Sequence, residues 1–327
     1  MYRIFLTMRR LLISFLIALT GVCTVYAAEI SKTITVAQDG SGDYRTVGEA
    51  IKKLRGDLDE IVRIYIKNGT YHEKLLLNST VNNVIIEGEN PERTVITYSD
   101  YAGLNNMGTS GSYTFRVDGN NVKFKNLTIE NGAGQVGQAV AIHTTGDKIV
   151  FDNCRFLGNQ DTMYLGGRNG RIYCKDSYIE GTTDFIFGAS TALFENCEIH
   201  GKINSYITAA STPADNPVGY VFYHCKVTTD PGVDALYLGR PWRSYASVYF
   251  VECQLPKGIN PLGWHNWGKA DNEKTARFGE YGNTGEGAEM ANRVPWEQKL
   301  TAAMAKRLVN PRYIFARSSD WEPMSKE

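Results

Sequence analysis

The sequence predicts an all-β chain, a single-stranded right-handed parallel β-helix with helical caps at the ends, and three observations lead there. A six-residue pattern recurs as Phe124-Lys-Asn-Leu-Thr-Ile129, Phe151-Asp-Asn-Cys-Arg-Phe156 and Cys174-Lys-Asp-Ser-Tyr-Ile179, then as Phe194-Glu-Asn-Cys-Glu-Ile199, Phe222-Tyr-His-Cys-Lys-Val227 and Phe250-Val-Glu-Cys-Gln-Leu255. The copies start 27, 23, 20, 28 and 28 residues apart, and each roughly alternates apolar with polar, as a short strand followed by a turn does. Gln138, Asp161 and Asp184 are separated by 23 and 23 residues, close to the same period, so one turn of a solenoid per period puts three polar residues on one wall. Leucine-rich repeats need a Leu-rich consensus with a helix per unit and propeller blades about four strands in ~40 residues, and neither fits. A stack of coils does, each adding one strand to several parallel sheets about 4.8 Å above the last.

Taken in order, Ile34 to Val36 reads as a strand and Asp39-Gly-Ser-Gly42 as a tight turn. Thr46 to Leu54 reads as a helix: Thr46 and Glu49 make a capping box, and Val47, Ala50, Ile51 and Leu54 share one apolar face. An open solenoid end exposes strand edges, so this helix is expected as a lid on the first coil. Ile61 to Ile66 and Val84 to Ile86 are strands, with Gly69 to Glu73 turning between them. Ile96 to Thr114 is a long polar loop, and loops longer than about 12 residues are often functional. The repeats fill Phe124 to Leu255, and Gly263 to Trp267 and Glu280 to Gly287 are aromatic and glycine-rich connections. A final helix near Trp296 to Leu308 is expected to close the other end, with no linker and no second domain.

The chain has 327 residues, 43% of them apolar, and a formal charge of zero, which offers no polyanion-binding surface and argues against a nucleic-acid partner. Residues 1–27 read as a secretory signal, since Arg9 and Arg10 precede an apolar run from Leu11 to Cys23, and Val25 and Ala27 stand at the cleavage positions. That run is short for a membrane span of ~20 residues, so an exported protein, periplasmic or extracellular, with a catalytic domain over residues 28–327 and no membrane attachment is expected. Removing the signal leaves 32 basic against 35 acidic residues, a net of −3. Of the five remaining cysteines, Cys154, Cys197, Cys225 and Cys253 occupy one slot of the repeat and Cys174 another, and a buried ladder of small apolar side chains is preferred over disulfide staples. With no Cys-x-x-Cys and five scattered histidines, no metal and no cofactor is expected.

The candidate chemistry lies between Gln138 and Arg240. Asp161 and Asp184 each stand ten residues after the start of their repeat and should occupy equivalent positions on adjacent coils. Stacked carboxylates resist ionising together, so one acts as acid and the other as base. Arg240 could hold one carboxylate ionised, and Gln138 and Gln160 supply amide donors where an oxyanion would form. Tyr164, Phe187, Trp242 and Trp267 crowd the same stretch, as core or as the floor of a sugar-binding groove.

These motifs resemble the pectinesterases, the pectin methylesterases of plants, fungi and bacteria. The matching segments are Val36-Ala-Gln-Asp-Gly-Ser-Gly42, Gly69-Thr-Tyr-His-Glu73, Gln138-Ala-Val-Ala-Ile142, Gly158-Asn-Gln-Asp-Thr162, Asp184-Phe-Ile-Phe-Gly188 and Leu238-Gly-Arg-Pro-Trp242, in the family's order. The resemblance implies Asp161 as acid and later base, Asp184 as nucleophile, Gln138 and Gln160 as oxyanion donors and Arg240 as the residue orienting the nucleophile. It also implies Trp242 and Thr109 as substrate contacts; Tyr164 and Phe187, each three residues after a candidate aspartate, could pave the same groove. The implied substrate is methyl-esterified homogalacturonan (pectin), which loses methanol and gains carboxylates. His143 departs from the pattern, standing where many plant members carry Arg. A monomer is expected, because a capped solenoid offers no free edge.

Three rivals remain on the same scaffold. A retaining glycoside hydrolase would also use carboxylates about 5 Å apart. A lyase would want a calcium site, for which the sequence holds no dense acidic cluster. A non-catalytic wall-binding β-helix would need none of the Asp161, Asp184 and Arg240 register.

Overall fold

The computed structural model describes residues 30–56, 60–316 and 321–323; the expected signal segment lies outside them. Every paired strand among these residues runs parallel to its neighbours, in one sheet of eleven strands and two of seven. The large sheet runs from Ile30–Val36 to Gln298–Lys299. A second sheet, called here the cleft sheet, stacks Leu75–Leu77, Phe115–Val117, Ile142–Thr144, Met163–Leu165, Ile186–Gly188, Tyr206–Ala210 and Tyr237–Pro241. The third begins at Gly69–His72 and ends at Lys226–Thr229. The chain visits the three in turn, so each coil adds one rung to each sheet, and the parallel β-helix follows.

The six-residue repeat explains the winding, and it contains more than one strand. Its first residue is the last but one of a strand of the large sheet, where Phe124, Phe151, Cys174, Phe194, Phe222 and Phe250 stand in register. Its last residue lies in the third sheet, where Phe156 pairs with Ile129 and Ile179, and Ile199 with Ile179 and Val227. Between them the third residue turns the corner in the left-handed region: Asn126, Asn153, Asp176, Asn196, His224 and Glu252 have φ of 49° to 55°. Asn tolerates that conformation best, because its short amide bonds locally. Here the amides also bond between coils, Asn153 Nδ2 donating to Asn126 Oδ1 at 2.8 Å.

The interior is a column of stacked side chains. Phe194, Phe222 and Phe250 lie nearly face to face, with centroids 4.6 and 4.4 Å apart. The five cysteines from Cys154 to Cys253 are buried free thiols, as the ladder reading expected, and Cys197 Sγ lies 3.9 Å from Cys174 Sγ. Helix α1 (Val47–Ile51) caps the first coil with Val47, Ala50 and Ile51 in the core, and the capping box of Thr46 and Glu49 is formed on both sides.

Several expectations change. The segment from Gly69 is a strand through His72, and the strand Thr94–Tyr98 takes the start of the expected loop. A short helix α2 (Ala270–Glu273) precedes a further strand, Arg277–Tyr281, where only connections were expected. The terminal helix starts at Ala302, not near Trp296, as α3 (Ala302–Leu308), and α4 (Pro311–Ile314) follows. Neither closes the end. Ala305, Leu308, Ile314 and Phe315 pack on the outside of the large sheet, against Tyr173, Leu193, Val221, Tyr249 and Val251. Those strands bury both faces, so a cover over the outer one lowers the free energy more than a plug across the last coil, where Trp264, Phe278 and Trp296 already stack.

Candidate active site

The site forms on the outside of the cleft sheet, where its strands begin. Met163 pairs with Ile186, and the ladder extends back through Asp161, whose N–H donates to Thr183 O at 3.1 Å, so Asp161 and Asp184 fall at matching positions on neighbouring coils. Asp184 N–H in turn donates to Tyr206 O at 2.8 Å on the next coil. Both aspartates have positive φ, 67° and 52°. Thr162, buried behind Asp161, fixes the first approach by donating from Oγ1 to Asn159 O and Glu180 O at 3.2 and 2.9 Å. A Cβ on Gly158 would sit 2.6 Å from that hydroxyl, so the motif needs glycine there.

Gln138, Gln160, Asp161, Tyr164, Asp184, Phe187, Arg240, Trp242 and Thr109 all line one cleft of about 420 Å³. Equal spacing predicts Gln138 stacked on Asp161; instead Gln138 bridges to Gln160. The two glutamines therefore sit one above the other, and among the described residues neither side-chain amide is engaged in a hydrogen bond.

The two carboxyls differ in their partners. Arg240 grips Asp184 with both prongs, Nε donating to Oδ1 at 2.9 Å and Nη2 to Oδ2 at 2.7 Å. The guanidinium is itself held between the rings of Tyr206 and Trp267, 3.9 and 3.8 Å from their centroids. Asp161 has no side-chain hydrogen bond among the described residues and is 8% exposed. Burial, then the charge of Asp184, raises its pKa to about 8 against a weaker opposing pull from Arg240. Burial raises Asp184 as well, and the hydrogen bonds and charge of Arg240 pull it back. Both carboxyls are raised, and with Arg240 bound to Asp184 alone it is Asp161 that holds its proton more firmly.

An aromatic stack continues the wall. His143, Tyr164 and Phe187, in register on successive strands, lie face to face at 4.2 and 4.3 Å, with Trp242 edge-on to Tyr164 and Phe187 at 6.3 and 5.9 Å. Tyr164 and Trp242 are half-buried and Phe187 buried, yet all three face the cleft. Across it stand Thr109 and Ser110, in a 3-10 turn of the loop after Tyr98. Lys74 ties this loop down, donating to Asp100 and to Gly111 O (2.7 Å) under the ring of Tyr113.

Sequence reasoning overlooked Tyr206 and Ser110. Tyr206 stands 22 residues after Asp184, so the same period could have found it, whereas Ser110 falls in the long polar loop of Ile96 to Thr114 with nothing to single it out from its neighbours.

The pectinesterase family model matches residues 33–316. Pectinesterase 31 of Arabidopsis thaliana is 39% identical over 296 residues, covering 87% of this chain and 92% of that one. A probable pectinesterase/pectinesterase inhibitor of Brassica napus is 35% identical over 84% of this chain, which spans only 49% of that longer protein. The structure of pectin methylesterase from carrot superposes with a TM-score of 0.82 at 30% identity, covering 86% of this chain and 92% of the carrot enzyme.

Proposed function

The chain belongs to the pectinesterase family of carboxylic ester hydrolases, and on that premise we propose that Asp184 is the nucleophile and Asp161 the acid and base that demethylate the galacturonate esters of pectin. The Asp184 carboxylate attacks the ester carbonyl carbon, and the oxyanion that forms accepts hydrogen bonds from the Gln138 and Gln160 amides. As the tetrahedral centre collapses, the bond to the methoxy oxygen breaks. Asp161 gives that oxygen its proton, and methanol leaves. The polymer is then joined to Asp184 as an anhydride. Asp161, now ionised, takes a proton from water, whose oxygen attacks the same carbonyl carbon; Asp184 departs as carboxylate and the sugar acid remains.

The observation that carries this reading is the unequal pairing of two equivalent aspartates: Arg240 engages both oxygens of Asp184, while Asp161 has no such partner and a pKa of about 8. An acid and a nucleophile are ready together at neutral pH. Thr109, Tyr164, Phe187 and Trp242 hold the sugar rings in the cleft. The enzyme works as an exported monomer on methyl-esterified homogalacturonan, without a cofactor. Among the described residues no helix is long and apolar enough to cross a membrane.

Methanol release from methylated pectin, measured with new reducing ends in the same reaction, tests the assignment. Wild type should give methanol without chain cleavage, and Asp184→Asn should lose roughly four orders of magnitude or more, as removal of a catalytic nucleophile does. Reducing ends without methanol would assign the pair to a glycosidase. An Asp184→Asn variant as active as wild type would remove the nucleophile from the scheme.

A further inference from the structure

The last strand of the cleft sheet, Tyr237–Pro241, carries Arg240, and a later segment of chain returns to pair with it. Leu238 N–H donates to Gly263 O at 2.8 Å, and His265 N–H donates to Gly239 O at 3.1 Å. His265 is thereby fixed one rung beyond Arg240 and outside the cleft, while Trp267, two residues on, lines it. Trp267 has a φ of 63°. A large side chain holds that left-handed conformation only where its surroundings demand it. Here the demand comes from His265, whose Nδ1 accepts the Trp267 N–H at 3.0 Å. The turn so made presents the indole to Arg240, whose guanidinium lies 3.8 Å from the ring centroid.

The same imidazole backs the other wall of the clamp. Its centroid lies 5.4 Å from that of Tyr206, which faces the guanidinium at 3.9 Å, and 5.6 Å from that of Tyr237, which stacks on Tyr206 at 5.3 Å. A ring nitrogen that accepts a hydrogen bond carries no proton, so His265 is the neutral Nε2–H form. Burial, then the charge of Arg240, lowers its pKa and keeps it so. An imidazolium would lose the acceptor and set a second cation beside the first.

We propose that His265 is a positioning residue for the reaction: through Trp267 and Tyr206 it aims the Arg240 fork so that both prongs meet Asp184. The inference rests on the reading of Asp184 as nucleophile. Without the bond to Nδ1 the Trp267 backbone leaves its turn, the indole slides off the guanidinium, and Asp184 is held by one prong in place of two. A carboxylate so held takes up a proton more readily.

The test measures kcat and KM for methanol release from methylated oligogalacturonides from about pH 4 to about pH 9. It uses wild type, His265→Gln and His265→Asn, each with and without Arg240→Met. His265→Gln puts its amide oxygen where Nε2 stood, out of reach of the Trp267 N–H. His265→Asn puts one where Nδ1 stood, and an Asn oxygen accepts the N–H two residues on in an Asx turn. His265→Gln should lose about tenfold in kcat at neutral pH, as loosening one charge-assisted hydrogen bond does, with KM changed less. Its acid limb should move up by about one pH unit, the same factor read on the pH axis. His265→Asn should keep most of the rate and the wild-type limb. Beside Arg240→Met, His265→Gln should cost nothing further, because the residue it acts through is gone. A residue that merely holds a turn would lower the rate and the thermal midpoint in both backgrounds and leave the acid limb in place. That result, or a His265→Gln enzyme equal to wild type, would overturn the inference. Methanol release by Asp184→Asn at the wild-type rate would instead overturn the nucleophile reading beneath it.

Discussion

Arg240 is the residue whose loss separates the proposed roles most sharply. It makes two charge-assisted hydrogen bonds, of 2.9 and 2.7 Å, to a carboxylate that is 6% exposed. In Arg240→Met the buried carboxylate keeps its desolvation cost and loses its cation. Breaking one side of such a pair costs about 3–5 kcal/mol, and the carboxylate escapes by taking up a proton. A protonated Asp184 is no nucleophile. At 1.36 kcal/mol per factor of ten, the loss of methanol release at neutral pH should be roughly two to four orders of magnitude.

The pH profile distinguishes this cause from a general loss of structure. Ionised Asp184 sets the acid limb of kcat/KM, and that limb should move to higher pH in Arg240→Met while the alkaline limb remains tied to Asp161. Arg240→Lys keeps the charge without the planar fork and should fall between the two. Methanol release followed from about pH 4 to about pH 9, with circular dichroism of each variant to confirm the β-sheet content, gives the answer. An acid limb that stays in place, with a loss below tenfold, would refute the claim that Arg240 keeps the nucleophile charged.

In the proposed mechanism Asp161, raised by burial and by Asp184 to about 8, donates a proton in the first step, so wild-type activity should decline as pH rises through about 8, and Asp161→Asn should abolish the alkaline limb together with most of the rate. Glu297 is raised by burial and by Glu280 to about 7 from 4.5, and the stability from its neutral form is complete below about 4.5 and lost as pH rises through about 7. Denaturant midpoints of Glu297→Gln should therefore fall less than those of wild type across that window, and parallel curves would count against it. Asn196→Ala, at φ 54°, should cost about 1–2 kcal/mol in urea unfolding, with Asn196→Gly cheaper than Asn196→Ala. Equal midpoints for the two would mean that the corner carries no left-handed strain.

The coil was legible because its first and last repeat positions obey stacking alone: a Phe or Ile at one level must meet another one coil above. The corner was not. Its third position accepts His224 and Glu252 as well as Asn, and these two carry no turn signal, so two strands read as one. The placement of the last helices was written elsewhere. In Ser247–Val251 every residue is buried, which marks a strand covered on both faces, and the apolar cover it requires is the one that α3 and α4 provide.

Within the site, the 23-residue spacing succeeded for Asp161 and Asp184 because no register shift falls between their coils, and it misled for Gln138 because one does. That difference bears on the chemistry. Asp161 and Asp184 share residue type, backbone conformation and coil position, so nothing local can make one an acid and the other a nucleophile. The asymmetry comes from two coils further on, where Arg240, pressed between Tyr206 and Trp267, can reach the upper carboxyl with both prongs while giving the lower one only a weaker pull. In a solenoid, where equivalent positions recur by construction, a role is set by which coils lie above and below. On the proposed mechanism the direction of catalysis along this pair is therefore a property of the stack, fixed by an arginine 56 residues away from the aspartate it grips.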